Sequence, residues 1–153
     1  MLSAVVAPQR RYLILALCFF TATAFSQAPL FKFVNPTLVS GTDRQVGAIY
    51  RFSGVIPNVD ALVEVKAISS GMSLRNIDRT ADGYPEAFQP EYRINANVAF
   101  GYIDFRIRFV QSGTNTSRNM PMVEASGLDI DGGTSGGNTI REFNQIDMGG
   151  GVL

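Results

Sequence analysis

Residues 128–143, LDIDGGTSGGNTIREF, concentrate the residue types best suited to chemistry. Asp129 and Asp131 stand two apart ahead of a glycine-rich turn, and Glu142 follows on its far side. An Asp-x-Asp-Gly step gathers carboxylates and backbone carbonyls at one tight turn, and hard oxygen donors of that kind suit calcium. Glu142 can return across the hairpin as a third carboxylate. The spacing of the Glu and the third ligand position both depart from those of an EF-hand. Asp and Gly also build turns with no metal at all, so a calcium site and a plain structural turn both stand on these residues. No other cofactor is indicated.

Two further groups are candidates. Tyr102, Asp104, Arg106 and Arg108 form a polar row whose mix of Tyr, Arg and Asp suits contact with a sugar or a protein surface; an ordinary solvated face is the alternative. Asp60 and Asp104 are carboxylates among apolar neighbours. They can be read as a glycosidase-like pair, or as partners of Arg51, Arg106 or Arg108 across a sheet. The chain contains no His, and its only Cys is Cys18 near the N-terminus. Ser-His-Asp and Cys-His catalysis and His- or Cys-ligated zinc are thereby excluded. The residues nominate no catalytic group.

The elements that must hold these residues read as short strands separated by turns. Over residues 102–110, Ile103, Phe105, Ile107 and Phe109 alternate with Tyr102, Asp104, Arg106 and Arg108. That period of two predicts one buried and one wet face. Residues 60–68 form a second strand with Ala61, Val63, Val65 and Ala67 on one face. Residues 46–52 form a third, with Val46, Ala48, Tyr50 and Phe52 inward and Arg51 outward. Weaker strands are predicted at 72–77, 88–94, 122–130 and 139–146. Pro57-Asn58, Asp82-Gly83, Ser112-Gly113 and Asp131-Gly132 supply turn chemistry between them. No helical periodicity is visible. The expected fold is all-β, an antiparallel β-sandwich of immunoglobulin-like or jelly-roll layout, in one domain over residues 29–147. The glycine-rich residues 148–153 read either as a loose tail or as the point where a longer protein continues.

The first 28 residues read as an address. Arg10 and Arg11 form a positive n-region, residues 12–20 (YLILALCFF) are an apolar run, and Ala22-Thr23-Ala24 and Ser26-Gln27-Ala28 offer small-x-small cleavage sites. This is the three-part secretory signal, and the run is shorter than the roughly 20 residues a membrane span needs. Leu17 before Cys18 does not suit lipidation, and Tyr12-Leu13-Ile14-Leu15 match a twin-arginine signal only in part. Residues 29–153 hold no surplus of positive charge, since acids outnumber bases by two once Arg10 and Arg11 are removed. No nucleic-acid or anionic-membrane partner is expected.

Several phrases occur together: Val46-Gly-Ala-Ile-Tyr-Arg-Phe52, Val59-Asp-Ala-Leu-Val63, Glu86-Ala-Phe-Gln-Pro90, Tyr102-Ile-Asp-Phe105, Leu128-Asp-Ile-Asp-Gly132 and Arg141-Glu-Phe143. The set resembles a β-sandwich module of large secreted bacterial surface proteins, often beside adhesin-like repeats. The resemblance implies an extracellular, non-catalytic module and identifies no ligand. The expectation is a secreted or cell-surface binding or adhesion module whose partner is an extracellular glycan or a surface protein. A small polysaccharide-acting enzyme using paired carboxylates and a structural spacer of a longer surface protein are the alternatives. The calcium reading predicts a higher melting temperature in calcium than in chelator, lost in Asp129→Ala; coincident melting curves in the two buffers would remove the metal.

Overall fold

A computed structural model describes residues 29–81, 83–95, 97–127, 132–135 and 138–147. The expected signal sequence, Asp129, Asp131 and residues 148–153 lie outside the described residues. Among the described residues eight strands follow one another: β1 (Thr37–Ser40), β2 (Ile49–Ile56), β3 (Val59–Ile68), β4 (Met72–Asn76), β5 (Glu91–Ile94), β6 (Ile103–Gln111), β7 (Gly133–Ser135) and β8 (Asn138–Ile140). Every strand pair is antiparallel, and among the described residues there is no helix. The fold is an all-β sandwich. One layer is a four-stranded sheet in the order β1-β2-β3-β6, the other is the β4-β5 pair, and β7-β8 form a separate hairpin.

Alternation along the strands explains the layers. Ala48 ahead of β2, Tyr50 and Phe52 on β2, and Val59, Ala61, Val63 and Val65 on β3 are all buried on the inner face of the large sheet. Leu74 of β4, Ile77, Phe33 and the partly buried Phe88 close over them. The rings interlock edge to face: Phe33 to Phe52 at 5.2 Å, Phe52 to Phe88 at 6.0 Å and Phe88 to Phe105 at 5.3 Å between centroids. Complete burial of Phe52, Val55, Val59, Val63 and Val65 contributes about 1.5–3 kcal/mol each before chain entropy. β3 is central and covered on both faces, because Asp60 and Leu62 on its outer side are buried too. Leu62 lies in register between Arg51 and Arg108, and the aliphatic stems of two arginines can cover a leucine while their charged ends stay wet.

Several elements depart from the sequence expectation, each for a physical reason. Val46 is 57 % exposed rather than inward; it sits in the turn before β2, where Gly47 has a φ of 88°. β2 runs past Phe52 to Ile56 through an irregularity at Gly54, whose φ is 65°. β5 starts only at Glu91, since Pro90 has no N–H to give to a ladder. Residues 122–127 form no strand, and 128–130 lie outside the described residues. The strand expected over 139–146 is confined to Asn138–Ile140, and residues 141–147 are exposed and irregular. Ile103, Phe105 and Phe109 are only partly buried, and Ile107 is exposed; among the described residues β6 is the last strand of its sheet, and the smaller layer covers its inner face only in part.

The β4–β5 connection is closed by Asp78 and Gln89. The Gln89 N–H donates to Asp78 Oδ1 at 3.1 Å, the Arg79 N–H donates to the Gln89 carbonyl at 2.7 Å, and Gln89 Nε2 donates to the Tyr84 carbonyl at 2.8 Å. Asp78 Oδ2 and Gln89 Oε1 are buried without a hydrogen-bond partner. Burial pushes the Asp78 carboxyl above its ordinary value of 3.8, and the single Gln89 N–H offsets only part of that. Because folding raises this pKa, the stability linked to it is present below 3.8 and is lost as pH rises through the folded value. Asp78→Asn is therefore expected to raise the unfolding free energy at pH 7 by about 1 kcal/mol and to leave it unchanged near the acid end of a denaturation series. A destabilised variant at pH 7 would contradict this.

Candidate functional site

Asp60 is a buried carboxylate and the first group to test for chemistry. It sits near the start of β3, just after the tight β2–β3 turn that Asn58 makes with a φ of 62°. Four donors converge on it. Oδ1 accepts from the Gly54 N–H at 2.9 Å and the Ser112 hydroxyl at 2.7 Å. Oδ2 accepts from the Gly113 N–H at 2.9 Å and from Arg51 Nη1 at 2.8 Å. Arg51 is fixed in turn, since its Nη2 donates to Asn115 Oδ1 at 2.6 Å. Burial alone would raise the pKa of Asp60. The N–H groups of Gly113 and Gly54, the Ser112 hydroxyl and the Arg51 guanidinium more than offset it and hold the carboxyl well below the usual carboxylate range. A carboxylate so saturated has no lone pair left for a substrate proton; its work is to tie the β2 irregularity to the turn after β6.

The carboxylate pair considered from sequence is not assembled. Asp60 faces Val110 at one end of the β3–β6 ladder, and Asp104 faces Ala67 at the other. Seven residues of strand separate those positions, roughly 23 Å, whereas glycosidase carboxylates lie about 5–9.5 Å apart.

The polar row on β6 is brought together as its alternation demands. Tyr102 precedes the strand, and Asp104, Arg106 and Arg108 follow on its outer side, all four exposed. Arg106 Nη2 donates to Glu64 Oε2 of β3 at 2.5 Å, and Lys66 Nζ donates to Glu64 Oε1 at 3.3 Å. Burial would raise the pKa of Glu64, but Arg106 and then Lys66 reverse that and lower it. This outer face is a charged, solvated surface with one acid held between two bases.

Next to the row lies a group that alternation could not point to. Phe100, in the β5–β6 connection, is 61 % exposed, and Phe143, after β8, is 60 % exposed. Their rings are near parallel, 14° apart in plane and 5.9 Å between centroids. Tyr102 joins them at 6.3 Å from Phe100, inclined by 45°. Burial, and then the Glu142 carboxylate, raise the pKa of the Tyr92 phenol on β5. Two stretches of chain thus bring exposed rings to one place, and Glu142, proposed from sequence as a calcium ligand, immediately precedes Phe143 on one of them. No signal in the sequence marks the contact, since Phe100 lies in no predicted strand and Phe143 falls within the strand expected over 139–146, which the structure ends at Ile140.

An open groove of about 320 Å³ lies elsewhere, between residues 44–46 and 68–74. Its lining is mostly serine and apolar side chains, with Arg44 as the charged member. Among the described residues no helix is long and apolar enough to cross a membrane. Comparison with protein-family models, with curated proteins and with solved structures finds no match to this chain.

The Asp60 cluster predicts a large stability effect. Asp60→Ala should cost about 3–5 kcal/mol in urea unfolding, since it leaves buried donors without an acceptor. Because folding lowers the Asp60 pKa, its contribution is present above the ordinary value of 3.8 and fades as pH falls toward the folded value. A loss of less than about 1 kcal/mol, the range of exposed ion pairs, would show that the cluster is incidental.

Proposed function

We propose that the chain is a secreted or cell-surface, non-catalytic binding module that presents an aromatic platform to extracellular glycan. The observation that carries this reading is the group of exposed rings, Phe100, Tyr102 and Phe143, held together by ring contacts. Exposed large apolar side chains scattered singly are ordinary, but grouped ones mark a contact surface. A pyranose ring has a C–H face that lies flat on an aromatic ring and hydroxyls at its rim that seek polar partners. Glu142, Asp104 and Arg106 provide charged and polar groups on the segments that carry the rings. The N-terminal export pattern supports an extracellular location, where such a partner is met.

The test is a glycan array, followed by affinity electrophoresis of the protein in gels containing the polysaccharides that score. Phe100→Ala and Phe143→Ala should each weaken binding about tenfold, the loss expected from one aromatic contact. Their melting temperatures should match that of the parent protein, because both rings are exposed. Binding that survives both substitutions unchanged would refute the platform. A protein that binds no glycan at all would favour the spacer reading.

A further inference from the structure

The edge of the large sheet points to a partner, and the reading rests on the backbone of β6 and its register, although Tyr102, Asp104 and Arg106 also border the glycan platform. β6 is nine residues long and terminal in its sheet. Backbone groups at its far end are covered from the outside: the Phe109 carbonyl accepts from the Arg118 N–H at 2.9 Å, and the Gln111 N–H donates to the Thr116 carbonyl at 2.9 Å. The irregularity in the β3–β6 ladder lies on β3, between Val65 and Ala67, so β6 itself runs without a break. Outward direction therefore alternates back from Phe109 to Ile107, Phe105 and Ile103. Among the described residues no backbone group pairs with those three positions on that side. An uncovered stretch of this length is a template for another strand.

The side chains indicate which strand fits. In a two-fold antiparallel pairing of β6 with β6, the residues that face each other are set by where the axis falls. Centred on Phe105, Asp104 meets Arg106 twice, Ile103 meets Ile107 twice, and Tyr102 meets Arg108 twice. Every facing pair is opposite in charge, apolar with apolar, or aromatic with guanidinium, and each kind is favourable across strands. Neighbouring registers fail. An axis at residue 104 sets Asp104 against Asp104, one at 106 sets Arg106 against Arg106, and one at 107 sets Arg106 against Arg108. The Phe105 register also exchanges backbone bonds at the outward-facing positions, Phe105 with Phe105 and Ile103 with Ile107. Arg106 already holds Glu64, and its forked guanidinium has donors left for a second carboxylate.

We propose that a second copy of this chain is the occupant: two molecules pair through β6 in the Phe105-centred register and join their four-stranded sheets into one. The experiment is sedimentation equilibrium of the purified protein over a concentration series, with Asp104→Lys, Arg106→Glu and an equimolar mixture of the two. The parent protein should dimerise. Each variant alone places like charges across the axis and should weaken dimerisation about tenfold or more. The mixture should recover it. In a mixed dimer the two introduced charges face each other and are opposite in sign, and the unaltered Arg106 of one copy still faces the unaltered Asp104 of the other. Recovery also shows that both variants are folded, and the exposed position of Asp104 makes Asp104→Lys the cleaner of the pair. A parent protein that stays monomeric throughout, or an Arg106→Glu variant that dimerises as well as the parent, would overturn the proposal.

Discussion

The structure depends on one buried carboxylate. Asp60 lies at a place where three pieces of irregular backbone meet: the kink at Gly54 in β2, the tight turn into β3, and the turn at Ser112-Gly113 after β6. The first and the last present amides, those of Gly54 and Gly113, that Asp60 accepts, and the Ser112 hydroxyl and Arg51 add two more donors. A neutral acceptor could answer one or two of them; a carboxylate answers four donors at once and does so with the added strength of its charge. The arrangement stays ionised because the donors outweigh the cost of burial. Asp78 shows the opposite balance in the same fold: one donor, one orphaned oxygen and a pKa driven upward. Number of donors, rather than depth, separates the two acids.

With that junction tied, β3 can be covered on both faces, and the rest of the large sheet inherits its asymmetry. β2 is flanked by β1, whereas among the described residues only 116–118 lie alongside β6 on its outer flank, at its far end. The strand with the clearest alternation thus has the most exposed flank, and its charges serve to select a register. The aromatic platform and the free edge lie near each other but belong to different chemistry, ring faces on one side and backbone amides on the other.

Much of the sheet was legible from period two alone. Residues 60–68 and 102–110 agree with β3 and β6 to within a residue at each end, because alternation of apolar and charged side chains leaves a single register with the core on one face. Thr37–Ser40 was not legible: all four residues are exposed, so β1 is held by ladder bonds to β2 and carries no hydrophobic pattern. The pairing of Arg51 with Asp60 could be considered from residue types. The donors at Gly54 and Gly113 could not, since backbone amides have no sequence signature and Gly113 lies 53 residues away. The ring cluster was hidden for a related reason, as Phe100 and Phe143 come from separate irregular segments that only the folded chain places together.

The central claim is that Asp60 holds loop amides as firmly as strand amides are held. Native-state hydrogen exchange followed residue by residue by NMR tests it directly. The account predicts that the Gly54 and Gly113 amides, though outside regular ladders, exchange as slowly as those of Ala61 and Val63 in β3. Exchange of those two glycines at the rate of the exposed Asn115 in the same turn would contradict it.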